Sequence, residues 1–279
     1  MPSTRPGSST TRWASNGLLP PPPQEREFPW WLAILAVTGV YLFWQVLTEE
    51  HYAQVLRTLR RGIWITVLVT VISYAGACAL GLGLATMQLS KSRILRQTSR
   101  LYVEVMRGVP ILVLLLYVAF VLAPALVSLW NWATAWTGWE PMRGRDFPLL
   151  WRAVIALILA YSSFLAEVFR AGLLAIDKGQ LEAADALGLS RWQRFRLVTF
   201  PQAFRLILPP LGNDLVAMVK DSSLVSVLGV TDITQLGKVT AAGNFRYFET
   251  YNVVALLYLT MTIGLSLALR RVERGMTRR

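Results

Sequence analysis

The sequence predicts an all-α integral membrane protein with about six transmembrane helices. Of its 279 residues 54% are hydrophobic and only 16% charged, and the mean hydropathy of +0.45 lies off the profile of a soluble domain. The apolar residues gather in runs of about 20, the length at which a helix crosses the roughly 30 Å hydrocarbon layer. Lys and Arg are shared unequally between alternate connecting segments, the usual mark of a multi-pass chain.

Residues 1–27 carry Ser, Thr, Gly and the run Pro20 to Pro23 with almost no apolar periodicity. They cannot bury enough surface to offset ordering and predict a disordered tail. The charge-free run 28–47 predicts a first, retained span, too long for a signal-peptide core. Residues 62–89 predict a second, with Gly76, Gly81 and Gly83 as small surfaces for helix contact. Residues 109–129 predict a third, opened by Pro110, and residues 149–176 a fourth. Residues 208–230 predict a fifth, weaker one that holds Asn213, Asp214, Lys220 and Asp221, and residues 251–269 a sixth.

With a cytoplasmic N-terminus, the inner segments collect 19 Lys and Arg and the outer ones 8. The sequence therefore predicts both termini inside. Arg57, Arg60 and Arg61 run against this trend and are expected on a short external helix. Cys78 and His51 stand alone, which excludes a disulfide framework and a Cys/His zinc cluster. The net charge of +12 sits at the ends of apolar runs, where membrane lipid headgroups explain it without nucleic acid.

The inner segment EAADALGLSRWQRFRLVTFP, residues 182–201, is unlike its surroundings. Asp177 with Gln180 has N-cap spacing, a helix is expected over 178–187, and Gly188 supplies a left-handed end. Ser190 with Gln193 repeats the capping box, and Pro201 is expected to end the second helix. Leu187, Leu189, Trp192 and Phe195 gather around the turn. Physics alone leaves two readings open, a partner-docking surface and a helix lying on lipid.

Glu182, Ala183, Ala184, Gly188, Val198, Phe200 and Pro201 resemble the signature cytoplasmic loop of permease subunits of binding-protein-dependent ABC importers, with Val and Phe where Ile and Leu are usual. Arg107 to Pro110 resembles that family's R-G-T-P with Val109 for Thr, and Ala166 to Gly172 resembles A-E-x-x-R-G/A-G. Residues 208–230 resemble the segment that follows the loop in the polar amino acid branch, the histidine, glutamine and arginine type. Blocks in this order are far more specific than any one motif.

The resemblance implies a five-helix permease core over residues 62–270, preceded by the extra span, in a bacterial inner membrane. It implies that a polar amino acid is moved, delivered by an extracytoplasmic amino-acid-binding protein. It also implies a second permease subunit, the same chain or a similar one, and docking of a separate ATPase subunit dimer on the loop 177–201. The docking residues it implies are Glu182, Ala183, Ala184, Gly188, Leu189, Trp192 and Phe195, with Glu182 either pairing with the ATPase or capping the local fold. The chain has no G-x-x-x-x-G-K-[ST] loop, so ATP and Mg are expected on the ATPase, with no cofactor, metal site or catalytic residue in this chain.

Charged groups at membrane depth need partners or water. Glu167 and Arg170, three apart, are expected to pair on one helix face. Lys220, Asp221, Ser222 and Ser223 are expected to make helix–helix and gate contacts in preference to a substrate site, and Asn213 with Asp214 to hold an unwound region after Pro209-Pro210. Trp130, Trp132, Trp136 and Trp139 read as an interfacial belt. An ion-coupled secondary transporter would also use intramembrane charges, but it has no role for a docking element. A membrane-anchored scaffold would explain the docking element and leave those charges without a role.

Overall fold

The computed structural model describes residues 30–277, in which every regular element is helical. The Pro-rich tail expected over 1–27 lies outside them. Two units separate between Val40 and Tyr41. In the first, the described residues belong to the opening part of helix α1, Trp30–Thr48, an apolar segment that corresponds to the first expected span. All that follows concerns the second unit.

Its framework is α2 (Glu50–Gln88) packed along α6 (Leu149–Leu174). The seam consists of small residues. Ala77, Ala85, Ala153, Ala156, Ala160 and Ala166 are buried, a Cβ on Gly76 would come within 2.6 Å of Ile158, and one on Gly81 within 3.0 Å of the Ser162 carbonyl. Backbones that approach this closely gain packing where lipid offers no hydrophobic drive. Among the described residues, four helices are long and apolar enough to cross a membrane, namely α2, the stretch Ile111–Thr134, α6 and Tyr247–Met276, and α6 is the most enclosed of them.

Around this pair lie α3 (Arg93–Gly108), α4 (Ile111–Tyr117), α5 (Ala123–Thr134), α7 (Lys178–Ala186), α8 (Arg191–Arg194), α9 (Phe200–Asp221), α10 (Ile233–Asn244) and α11 (Tyr247–Thr277). A π turn, Val118–Leu122, joins α4 to α5, so the third span continues to Thr134. The main core gathers Val69, Leu115, Leu157, Leu165 and Met218 from these elements, with Val225 from the 3-10 segment Ser222–Leu228 that follows α9.

Several expectations are corrected. Arg57, Arg60 and Arg61 do not sit on a separate external helix. Nothing between Glu50 and Gly62 caps or breaks the chain, so α2 runs unbroken for 39 residues, about 58 Å. Tyr52, Val55 and Leu59, spaced three and four apart, bury one face of this extension against Ile233, Val253 and Val254, leaving the arginines exposed on the other.

Pro201 does not end a helix. It is the second residue of α9, and the π turn Phe195–Thr199 links α8 to α9 without a break. Pro209-Pro210 does not unwind α9 either. Proline's fixed φ is itself helical, only local backbone bonds are lost, and the flanking Ile207 and Gly212 are held against Gly172 of α6 and Leu269 of α11.

The fifth expected span, 208–230, is divided. Polar residues stop α9 at Asp221, and a 3-10 segment, Ser222–Leu228, follows to Gly229 at φ +81°. α9 is not among the four apolar spanning helices. The helices α3 and α10 were not anticipated. α3 is amphipathic and shows no long apolar run, while α10 is a short helix capped by Asp232.

Candidate functional site

The element at residues 177–200 is built as two helices around one glycine. The Asp177 carboxylate accepts from the Gly179 N–H at 2.7 Å and caps α7; the reciprocal bond of a capping box, from the Asp177 N–H to the Gln180 side chain, is not formed. Gly188 adopts φ +73° after the helix ends at Ala186. Its N–H donates to the Asp185 carbonyl, and the Leu189 N–H to the Ala184 carbonyl, so the last carbonyls of α7 are satisfied at the turn. Ser190 and Gln193 form the full capping box at 3.3 and 2.9 Å and start α8.

This scaffold presents apolar groups outward. Leu187 is 80% exposed and Trp192 67%, a fraction at which both are free to enter a partner's pocket. Phe195 is exposed and stacks on Trp192 at 5.9 Å, while Leu189 is half-buried. Ala184 is buried beneath the helix and Ala183 is exposed. Glu182 is exposed and has no partner among the described residues.

The charged residues of the spans do not form one site. At the end of α6, Arg170 donates to Glu167 at 2.7 Å, and Gln88 at the end of α2 donates to the other carboxylate oxygen at 3.2 Å. The expected pair is present, and it also ties α2 to α6. Asp221 and Lys220 diverge, as a 100° step on a helix requires. Tyr161 of α6 donates to Asp221 at 2.7 Å. Lys220 instead lines an open groove of about 300 Å³ with Thr262, Ser266 and Arg270 of α11. Ser222 is buried and donates to the Val219 carbonyl, while Ser223 is half-buried. Asn213 is exposed on α9.

Three contacts had no local signal in the sequence. Asp185 and Arg194 form a two-pronged ion pair across the glycine turn, at 2.6 and 2.8 Å. Tyr74 of α2 donates to the Leu211 carbonyl of α9 at 2.7 Å. Buried Arg152 donates to the carbonyls of Phe147, Gly144 and Ala119, the last within the π turn, and so fastens the segment before α6 to the third span. Neither sequence separation nor residue type marks these pairs beforehand.

Comparison with known proteins agrees with this architecture. Residues 77–278 match the family described as binding-protein-dependent transport system inner membrane component. Among curated proteins, the glutamine transport system permease protein GlnP of Escherichia coli strain K12 is 36% identical over 218 residues, which cover 78% of this chain and 92% of that one. The probable amino-acid permease protein YxeN of Bacillus subtilis strain 168 is 36% identical over 229 residues, or 82% and 96%. Among solved structures, an amino acid ABC transporter crystallised with histidines superposes with a TM-score of 0.67 at 32% identity over 80% of this chain and 96% of that one. A chain of a bacterial ABC transporter involved in the import of the acidic polysaccharide alginate has a TM-score of 0.65 at 17% identity over 89% of this chain and 92% of that one, which shows a shared fold. The helical core, the capped two-helix element and a match to more than half of the chain converge: the protein is a multi-pass inner membrane component of the binding-protein-dependent ABC transport family.

Proposed function

We propose that this chain forms the translocation path for a polar amino acid and is driven by an ATPase subunit dimer that docks on the loop 177–201. The carrying observation is the two-helix element itself. Both helices are capped and Gly188 sets the turn between them, so each helix is held without burying Leu187 and Trp192, which stay outside for a partner. Glu182 lies free beside them to meet a basic group on the ATPase. Glutamine and other amino acids named for the relatives are the first solutes to test. ATP and Mg belong to the ATPase in this reading. An extracytoplasmic amino-acid-binding protein supplies the solute, and a second permease subunit completes the path. Both termini and the docking element face the cytoplasm, as the distribution of basic residues supports. Within the spans, Asp221 on Tyr161 and Glu167 on Arg170 and Gln88 serve as helix–helix and gate contacts.

Trp192→Asp tests the docking. It places an unpaired charge in the desolvated centre of the interface, a loss of at least about 2 kcal/mol for a hot-spot residue. The variant is expected at normal abundance in the membrane, without the ATPase on purification and without uptake. A Trp192→Asp chain that keeps its ATPase and transports would overturn the docking assignment.

A further inference from the structure

We propose that the Asp185–Arg194 ion pair is a positioning brace, one that makes the two docking helices move as one body with α9 and is needed for coupling rather than for docking. It rests on the docking reading above.

Geometry makes the pair more than a surface contact. α8 has four residues, and neither it nor the π turn after it contains a buried residue. Hydrophobic packing therefore does little to fix the angle between α7 and α8. Two points do. Leu181 of α7 packs against the cluster formed by Ile176, just before α7, and Ala203 and Ile207 of α9, and Arg194 Nη1 reaches both Asp185 oxygens at 2.8 and 2.6 Å from across the Gly188 turn. One contact would leave α7 free to swivel. Two fix its direction.

What α7 is fastened to is a continuous rod. An interval of five residues on an α-helix places side chains about 140° apart, which would put Phe195 and Phe200 on different faces. The π turn Phe195–Thr199 takes up the extra residue in one wider turn. Trp192, Phe195, Phe200 and Phe204 then form one ladder, with ring centroids 5.9, 5.9 and 5.7 Å apart. The ladder ties the docking surface to α9, and α9 ends at Asp221 on Tyr161 of α6. A push on Trp192 is thereby carried into the membrane core, provided that α7 moves with the rod. Asp185–Arg194 supplies that condition. Both side chains are partly exposed, at 56% and 33%, so neutral or exchanged groups are accommodated without burying a charge.

The test uses the whole complex, with binding protein and ATPase, in liposomes with glutamine as probe solute. Asp185→Asn, Arg194→Gln and the exchange Asp185→Arg with Arg194→Asp are compared for ATPase retention on purification and for ATP hydrolysed per glutamine imported. Each single variant is expected to retain the ATPase and to raise that ratio about threefold, in keeping with a solvent-facing ion pair, while the exchange returns it toward wild type. Single variants at the wild-type ratio, or an exchange no better than the singles, overturn the brace. Single variants that shed the ATPase also overturn it, because the pair would then be a docking contact. That outcome leaves the docking reading intact, whereas a Trp192→Asp chain that keeps its ATPase strikes the docking reading directly.

Discussion

Gly188 holds φ +73°, a region where an L side chain costs about 1–2 kcal/mol and a β-branched one more. No atom lies within 4 Å of a Cβ built there, so the cost is conformational and not steric. Gly188→Ala should therefore retain part of its uptake and Gly188→Val almost none, at equal membrane abundance, measured as initial rates of glutamine uptake in cells. Equal rates for the two would show that the turn's geometry does not matter. Tyr161 and Asp221 make a second residue-scale case, since one hydroxyl joins α6 to the end of α9 at 2.7 Å. Tyr161→Phe and Asp221→Asn should each lower stability in detergent, with a coupling of about 0.6 to 1.7 kcal/mol in the double-mutant cycle, as for hydrogen bonds between membrane helices. A coupling near zero would mean that each side chain is satisfied elsewhere.

At the scale of elements, α2 and α10 meet at Gly62, where an added Cβ would lie 2.6 Å from the Ile233 nitrogen. Backbone cannot move aside as a flexible side chain can. Gly62→Ala is expected to lower the melting temperature of the purified chain by several degrees, and Gly83→Ala, with nothing within 4 Å, to leave it unchanged. Matching shifts would argue that the α2–α10 contact is loose. The same elements show what a sequence discloses. The capping box at Ser190 and the left-handed Gly188 were legible, because each is set by residues a few positions apart. Long apolar runs likewise disclosed α2, α6 and α11, while α10 and the amphipathic α3 gave no such run. Pro201 and Pro209-Pro210 misled for the opposite reason. The π turn before Pro201 and the tertiary contacts at Ile207 and Gly212 around Pro209-Pro210 carry the helix past a local breaker, and nothing local reports them. Asp185–Arg194 and Tyr161–Asp221 stayed hidden because their partners come from different elements.

At the scale of the whole molecule, a polarity follows from the proposal. In that polarity the docking element lies on the cytoplasmic side of the membrane and the Trp-rich segment around Trp136, 85% exposed, on the other. In a Cys78→Ser background, Ser190→Cys should resist a membrane-impermeant thiol reagent in intact cells and react after permeabilisation, while Trp136→Cys reacts in both. The reverse pattern would invert the topology. The central claim, that an ATPase sits on the two-helix element, is tested most directly by placing a photoreactive amino acid at Trp192 in the assembled complex. A covalent adduct with the ATPase subunit is expected, absent when the probe is placed at Trp136. Adducts with lipid alone at Trp192 would contradict it.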